Sequence, residues 1–247
     1  MRVGDYTIER ELSPDVYEAT HVLLPRRVIL RVVGPEREGA VRTMREACIL
    51  EALRHPGVPR IYECGRTADR TWIAVEHISG APVAMPSIEE LIAIVRDVAS
   101  ILDHAHLRGV SHGDVRRESI IVRSKGACLV GWHHARLARD YAEDVRALGE
   151  LACSLLAGPA PAAFRELLGD MRASDPADRP TAGEVASIAT RLVAEVIELD
   201  IVDLVEIELP PPVSYPTPVP LRWTPAQGVR PIAPAPGIAI GHIKLRS

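Results

Sequence analysis

Lysine is almost missing from this chain. Of its 29 basic residues only Lys125 and Lys244 are lysines, so any cation needed in the first half must be an arginine or a histidine. Paired cysteines are missing too: Cys48, Cys64, Cys128 and Cys153 lie far apart with no C-x-x-C step. That spacing excludes a local zinc ribbon or disulfide framework and leaves reduced, mostly buried thiols. No apolar run reaches the roughly 18 residues that cross a bilayer, and the N-terminus is polar, so a cytoplasmic protein is expected. An excess of positive charge is also absent. The net charge is -4 and the pI is near 6.1, which gives no general pull toward nucleic acid or an anionic membrane.

What is present suits a globular protein: 247 residues, 47% of them apolar, are enough to bury one two-lobed domain or two small ones. Residues 6–12, 15–22, 26–33 and 71–77 alternate or are β-branched in the manner of strands, with Pro-containing turns between them. Residues 38–53 carry apolar positions at helical spacing. So do residues 87–108, where Ser87 followed by Glu89 and Glu90 makes a sound N-terminus. His104 and His106 on that helix are expected to pack or cap locally. Residues 162–171 and 181–199 are helical by period, and Ser79, Gly80 and Pro82 mark a boundary by their turn chemistry. Ten prolines between Pro210 and Pro236 favour extended chain, either a disordered tail or a docking arm, and residues 238–245 suit a short terminal strand.

The most informative stretch is Gly-Val-Ser-His-Gly-Asp-Val-Arg-Arg-Glu-Ser-Ile-Ile-Val, residues 109–122. It resembles the catalytic loop of the protein-kinase family, H-R-D followed by four residues, an Asn and a short apolar strand. Val28-Ile29-Leu30-Arg31 stands where the family has V-A-I-K, and Glu46 stands where a helix Glu pairs with that Lys. His55-Pro56-Gly57-Val58 is similar to the family's "HPNIV" turn, and residues 129–137 align with "LIDFGIARL". Asp144-Val145-Arg146-Ala147-Leu148-Gly149 resembles "DVYALG", in which the Asp braces the catalytic loop. Asp175-Pro176 with Arg179-Pro180 resembles the "DPxxRP" linker, whose Arg makes a structural ion pair. The resemblance covers about residues 5–195 and favours the serine/threonine branch, although His112-Gly113-Asp114 also occurs in small-molecule kinases.

Departures from the family pattern fall on the groups that handle nucleotide and metal. Between Leu12 and Val16 there are only Ser13, Pro14 and Asp15 where the family has a glycine-rich loop whose amides cover phosphates. Arg31 keeps the charge of the family's Lys but not its compact shape, and Ile29 adds bulk where the family's Ala packs on adenine. Ser119 holds the position of the metal-binding Asn. Gly131 holds that of the metal-binding Asp and has no side-chain oxygen. Gly113 replaces the Arg that receives a phosphorylated activation loop, and the segment between residue 136 and Asp144 is too short to carry that loop. Trp132 can still complete an apolar spine with His112. The adjacent His133 and His134 invite a metal reading, but in a strand neighbouring side chains point apart and no third ligand is evident.

The resemblance implies an α+β, bilobal protein-kinase-like fold. A small antiparallel N-lobe sheet with one helix would occupy residues 1–79, a mainly helical C-lobe residues 80–199, and a Pro-rich tail residues 200–247. The departures imply a catalytically inactive member, a pseudokinase that serves as scaffold or allosteric regulator for a protein partner in bacterial signalling. On that reading Asp114 is a vestigial base, Arg31 and Glu46 form a structural pair, no metal is held, and ATP and magnesium bind weakly or not at all. Two alternatives stand beside it. One is a divergent ATP-dependent serine/threonine kinase or phosphotransferase using Asp114 as base, Arg31 for phosphate, and Glu118, Ser119 or a histidine for metal. The other is a nucleotide-binding switch without catalysis.

Overall fold

The structure, a computed structural model, describes residues 1–67 and 69–204. Its first part is a curled antiparallel sheet. Strands β1 (Arg2–Val3), β2 (Tyr6–Ser13), β3 (Val16–His21) and β4 (Arg27–Val33) run in order, and helix α1 (Arg37–Leu53) interrupts them before β5 (Ile61–Arg66) and β6 (Thr71–Glu76). The sheet order is β1-β2-β3-β4-β6-β5, so the chain leaves β4 through α1, forms the edge strand β5, and returns between them as β6. Tight turns keep neighbours antiparallel. The β2–β3 turn has Pro14 followed by Asp15 at φ +64°, the pattern of a type II turn, in which Pro sets the first central residue and the second takes positive φ.

Alternation along β4 sorts its side chains onto two faces. Val28, Leu30 and Val32 are buried with Val3, Tyr6, Ala19, Trp72 and Ala74 in one apolar layer. Ile29, Arg31 and Val33 face the other way and are half-buried. A period of two in the sequence thus delivers Arg31 to the side where α1 lies. Helix α1 turns Ala40, Thr43, Glu46, Ala47 and Leu50 inward, which places one acidic group on a mostly apolar stripe.

The second part is mainly helical. After β7 (Ala81–Pro82) comes α2 (Ile88–His106), opened by a capping box: Ser87 Oγ accepts from the Glu90 amide at 3.2 Å, and Glu90 Oε2 accepts from the Ser87 amide at 2.8 Å. Strands β8 (Val110–Ser111), β9 (Ile120–Arg123), β10 (Gly126–Leu129) and β11 (Arg136–Leu137) follow. Helices α3 (Ala142–Leu155), α4 (Ala162–Met171) and α5 (Ala182–Leu204) then complete the unit. Helix α2 lies along α5 and against α3, and its Leu91, Ile92, Val95, Val98, Leu102 and Ala105 are the axis of the larger core. Thr181 and Glu184 repeat the capping box at the start of α5, with 2.8 Å and 3.2 Å bonds.

This is a mixed α and β, kinase-like bilobal architecture with the sheet first and the helices second. Helix α5 runs to Leu204, past the boundary at 199 that its sequence period suggests. The Pro-rich tail and the terminal strand expected at 238–245 lie outside the described residues. No helix among the described residues is long and apolar enough to cross a membrane.

Candidate active site

Two strand pairings bring the site together. Strand β9 pairs with β10, and β8 pairs with β11 through Ser111 with Arg136 and Val110 with Leu137. The loop from β8 to β9, residues 112–119, and the loop from β10 to β11, residues 130–135, are therefore tied side by side at both ends. Whatever one loop carries must face the other.

The first loop is held by a buried carboxylate. Asp144, in the first turn of α3, accepts four hydrogen bonds. Ser111 Oγ at 3.0 Å, the His112 amide at 2.8 Å and His106 Nε2 at 3.0 Å donate to Oδ2, and the Gly113 amide at 2.8 Å donates to Oδ1. Burial opposes its charge. The bonds from His106 and from the Gly113 and His112 amides outweigh that cost and hold the carboxyl below the usual range. His106 in turn stacks on Tyr141, with ring centroids 4.5 Å apart. It was expected to pack locally, and it instead fastens α2 to the loop that follows it.

His112 is fully buried, which pushes its imidazole below the ordinary range and keeps it neutral. Its Nε2 donates to the Val130 carbonyl at 3.0 Å, and its Nδ1 accepts from the Asp114 amide at 3.2 Å. One ring therefore clamps both loops. Gly113 has φ +76°, a conformation that strains any residue with a Cβ, and a Cβ there would lie a tight 3.2 Å from the His134 carbonyl. Held from both sides, Asp114 presents a partly exposed carboxylate 3.2 Å from Arg116 Nε, which Glu118 shares at 3.8 Å.

The positions of the family's magnesium ligands are different. Ser119 is buried, and its hydroxyl is engaged inside the loop, accepting from the Arg116 amide at 2.9 Å and donating its proton to the Arg116 carbonyl at 2.8 Å. Gly131 adopts φ +83° and offers no side-chain ligand atom. Magnesium, which prefers oxygen ligands in near-octahedral array, does not fit this pair. Arg31 Nε lies 3.1 Å from Glu46 Oε2 but without hydrogen-bond alignment, so the contact is ionic. Burial raises the Glu46 carboxyl above its ordinary value, and the charge of Arg31 only partly offsets this. A cleft of about 440 Å³ opens beside the pair, lined by Asp15, Arg31, Arg42, Glu46, His133 and His134.

The second loop corrects one premise of the sequence. Trp132–His134 is a turn of 3₁₀ helix, not a strand, pinned by the buried Trp132, whose Nε1 donates to the Leu129 carbonyl at 2.8 Å and whose ring meets His112 edge-on at 4.7 Å. In a strand the two histidines would point apart. In this turn their ring centroids are 4.1 Å apart, and Asp114 supplies the third group: the ligand atoms of Asp114, His133 and His134 all lie within 4.8 Å of one another. Burial, then the charge of Arg31, lowers the His133 imidazole to about 4, so it is neutral with a free lone pair.

No family model matches the chain. It is similar to three serine/threonine-protein kinases of Mycobacterium tuberculosis. PknI is 30% identical over 140 residues, 49% of this chain and 24% of PknI. PknJ is 30% identical over 131 residues, 47% of this chain and 22% of PknJ. PknF is 31% identical over 135 residues, 47% of this chain and 28% of PknF. The chain thus spans about a quarter of the length of these relatives. All three are enzymes by name, and this overturns the expectation that the chain is not an enzyme. That expectation treated the substituted positions and the short segment before Asp144 as lost function, whereas a fold can supply a group from a neighbouring position. By residues 109–122, its architecture and these relatives, the chain is protein-kinase-like and similar to bacterial serine/threonine protein kinases.

Proposed function

We propose that the chain is a divergent ATP-dependent phosphotransferase, serine/threonine protein kinase in class, that uses Asp114. The observation that carries this reading is the complete bracing of the catalytic loop by Asp144 and His112, which leaves Asp114 partly exposed where the two loops meet. Two of the four hydrogen bonds to Asp144 come from the His112 and Gly113 amides, and they fix the stretch of backbone from which Asp114 projects.

In this reading an acceptor hydroxyl lies against Asp114, which orients it and takes its proton as the oxygen attacks the γ-phosphorus. The bond from that phosphorus to the β-bridging oxygen breaks, and ADP leaves with the electron pair. Arg31 faces the cleft and supplies positive charge to the phosphates; its wide, planar guanidinium suits two phosphate oxygens. No step is assigned to magnesium at Ser119 or Gly131.

Phosphotransfer from radiolabelled ATP to a protein substrate tests the reading, with the full chain and its Asp114→Asn variant. Loss of the base is expected to lower turnover by about 10²-fold or more. The thermal midpoint should hardly move, because Asp114 is partly exposed and its one ion pair is to a solvated arginine. Equal turnover in the two proteins would defeat the reading. A midpoint that does not rise with millimolar ATP would also count against it, since a ligand at 100 times its dissociation constant stabilises by about 2.7 kcal/mol.

A further inference from the structure

We propose that Asp114, His133 and His134 form a binding site for one divalent transition-metal ion, of the zinc, manganese or cobalt kind, in place of the magnesium that the Ser119 and Gly131 positions no longer hold. The site draws on both loops, so the strand pairings that set the loops side by side also build it.

Three observations support it. First, the donor set is two imidazoles and one carboxylate, which suits borderline transition metals and is a poor set for magnesium. Three protein ligands would leave further coordination positions for water or a phosphate oxygen. Second, the Nδ1 of His133 is buried and has no hydrogen-bond partner. A buried nitrogen left without a partner is unfavourable unless something binds it. Third, the backbone already holds the histidines in the required relation. The 3₁₀ turn is locked by Trp132, which is 1% exposed, and Gly113 admits the close approach of the two loops.

Ligand atoms about 2.0–2.2 Å from one ion lie at most about 4.4 Å apart. The observed spread of up to 4.8 Å closes by small side-chain rotations. Two cations face the site. Arg116 now contacts Asp114, but its guanidinium is largely exposed and already shares Glu118, to which it can turn when an ion takes the carboxylate. Arg31 is held back by Glu46. His134 is exposed and leaves the ion a route from solvent.

Isothermal titration of the full chain with Zn²⁺, and visible absorption with Co²⁺ as a spectroscopic probe, test the site. Both use a Cys48→Ser/Cys64→Ser background, so that the two exposed thiols take no ion. One equivalent is expected to bind, with cobalt absorption of low coordination number. His134→Ala and Asp114→Asn should each weaken binding by at least about tenfold, and equimolar magnesium should not compete. His134 is exposed and Asp114 partly so, so neither variant endangers the fold; unchanged metal-free melting checks this. Failure to bind at millimolar metal, or full affinity retained in both variants, would overturn the proposal. Binding is read without ATP. A chain that takes up metal yet transfers no phosphate would therefore sink the phosphotransferase reading and leave this site standing.

Discussion

Replacement of Asp144 by asparagine is the sharpest test of how the site is held. The side chain is 2% exposed and its two oxygens accept from Ser111, His112, Gly113 and His106. Asparagine keeps the shape but has one oxygen. If that oxygen keeps the three bonds at Oδ2, the amide group is turned toward the Gly113 N–H, donor against donor. Hydrogen bonds to a charged group are each worth about 1.5–3 kcal/mol, and the loss here combines weakening of three with removal of the fourth. A destabilisation of about 2–4 kcal/mol is expected at pH 7, short of the 3–5 kcal/mol typical of an uncompensated buried charge. The pH dependence has a definite sign. The folded carboxyl lies below its ordinary value of 3.8, so its contribution is fully present above that pH and is lost as pH falls toward the folded value. Urea unfolding of both proteins from pH 3 to pH 8 should show a constant gap down to about pH 4 and a narrowing gap below it. Amide exchange at His112 and Gly113 should quicken in the variant even where the whole fold survives. A gap under about 0.5 kcal/mol at pH 7, within the range of ordinary surface changes, would refute the bracing role. So would a gap that keeps its full size at pH 3.

Two further outcomes follow from the same geometry. Arg31→Met should destabilise by about 3 kcal/mol at pH 8 by stranding the buried Glu46 carboxylate, and less at lower pH, because burial already raises that carboxyl and protonation relieves it. Arg31→Met with Glu46→Leu should recover most of the loss; denaturant midpoints of the four proteins in the cycle decide it. Gly131→Asp should restore an oxygen at the family's magnesium position, since a Cβ there meets nothing closer than 3.8 Å and aspartate tolerates positive φ at a cost of about 1 kcal/mol. Magnesium-dependent phosphotransfer should rise in that variant; no change with intact folding would show that the lost ligand is not what limits magnesium use.

The sequence was most legible where a local rule decided the outcome. Ser87 and Glu90 announce the start of α2, and the two-residue period of β4 sends Arg31 and Ile29 to one face. The loop around Asp114 is legible because its residue types are tied to a chemistry. What stayed hidden depends on partners far along the chain. Nothing near His106 indicates a hydrogen bond to a carboxylate in α3, and nothing near Glu18 indicates that it would be buried at 3% exposure with Arg10, Arg27 and His77 around it. The backbone around the histidine pair was hidden for a related reason. A run such as Leu-Val-Gly-Trp-His-His reads as a strand, and only the pairing of β8 with β11, with Trp132 buried against His112, sets it as a turn beside Asp114.

The link from β11 to α3 has a consequence for control. Between Leu137 and Ala142 the chain has only Ala-Arg-Asp-Tyr, with Tyr141 already donating to the Ala138 carbonyl at 2.8 Å. Arg179, nearly buried, finds Glu143 at 2.7 Å at the beginning of α3, and this ties down the far end of the link. Four residues stapled at both ends can neither swing over the catalytic loop nor offer a serine or threonine hydroxyl for modification. At this point of the chain there is thus neither a movable strip nor a serine or threonine through which the protein could gate its own cleft.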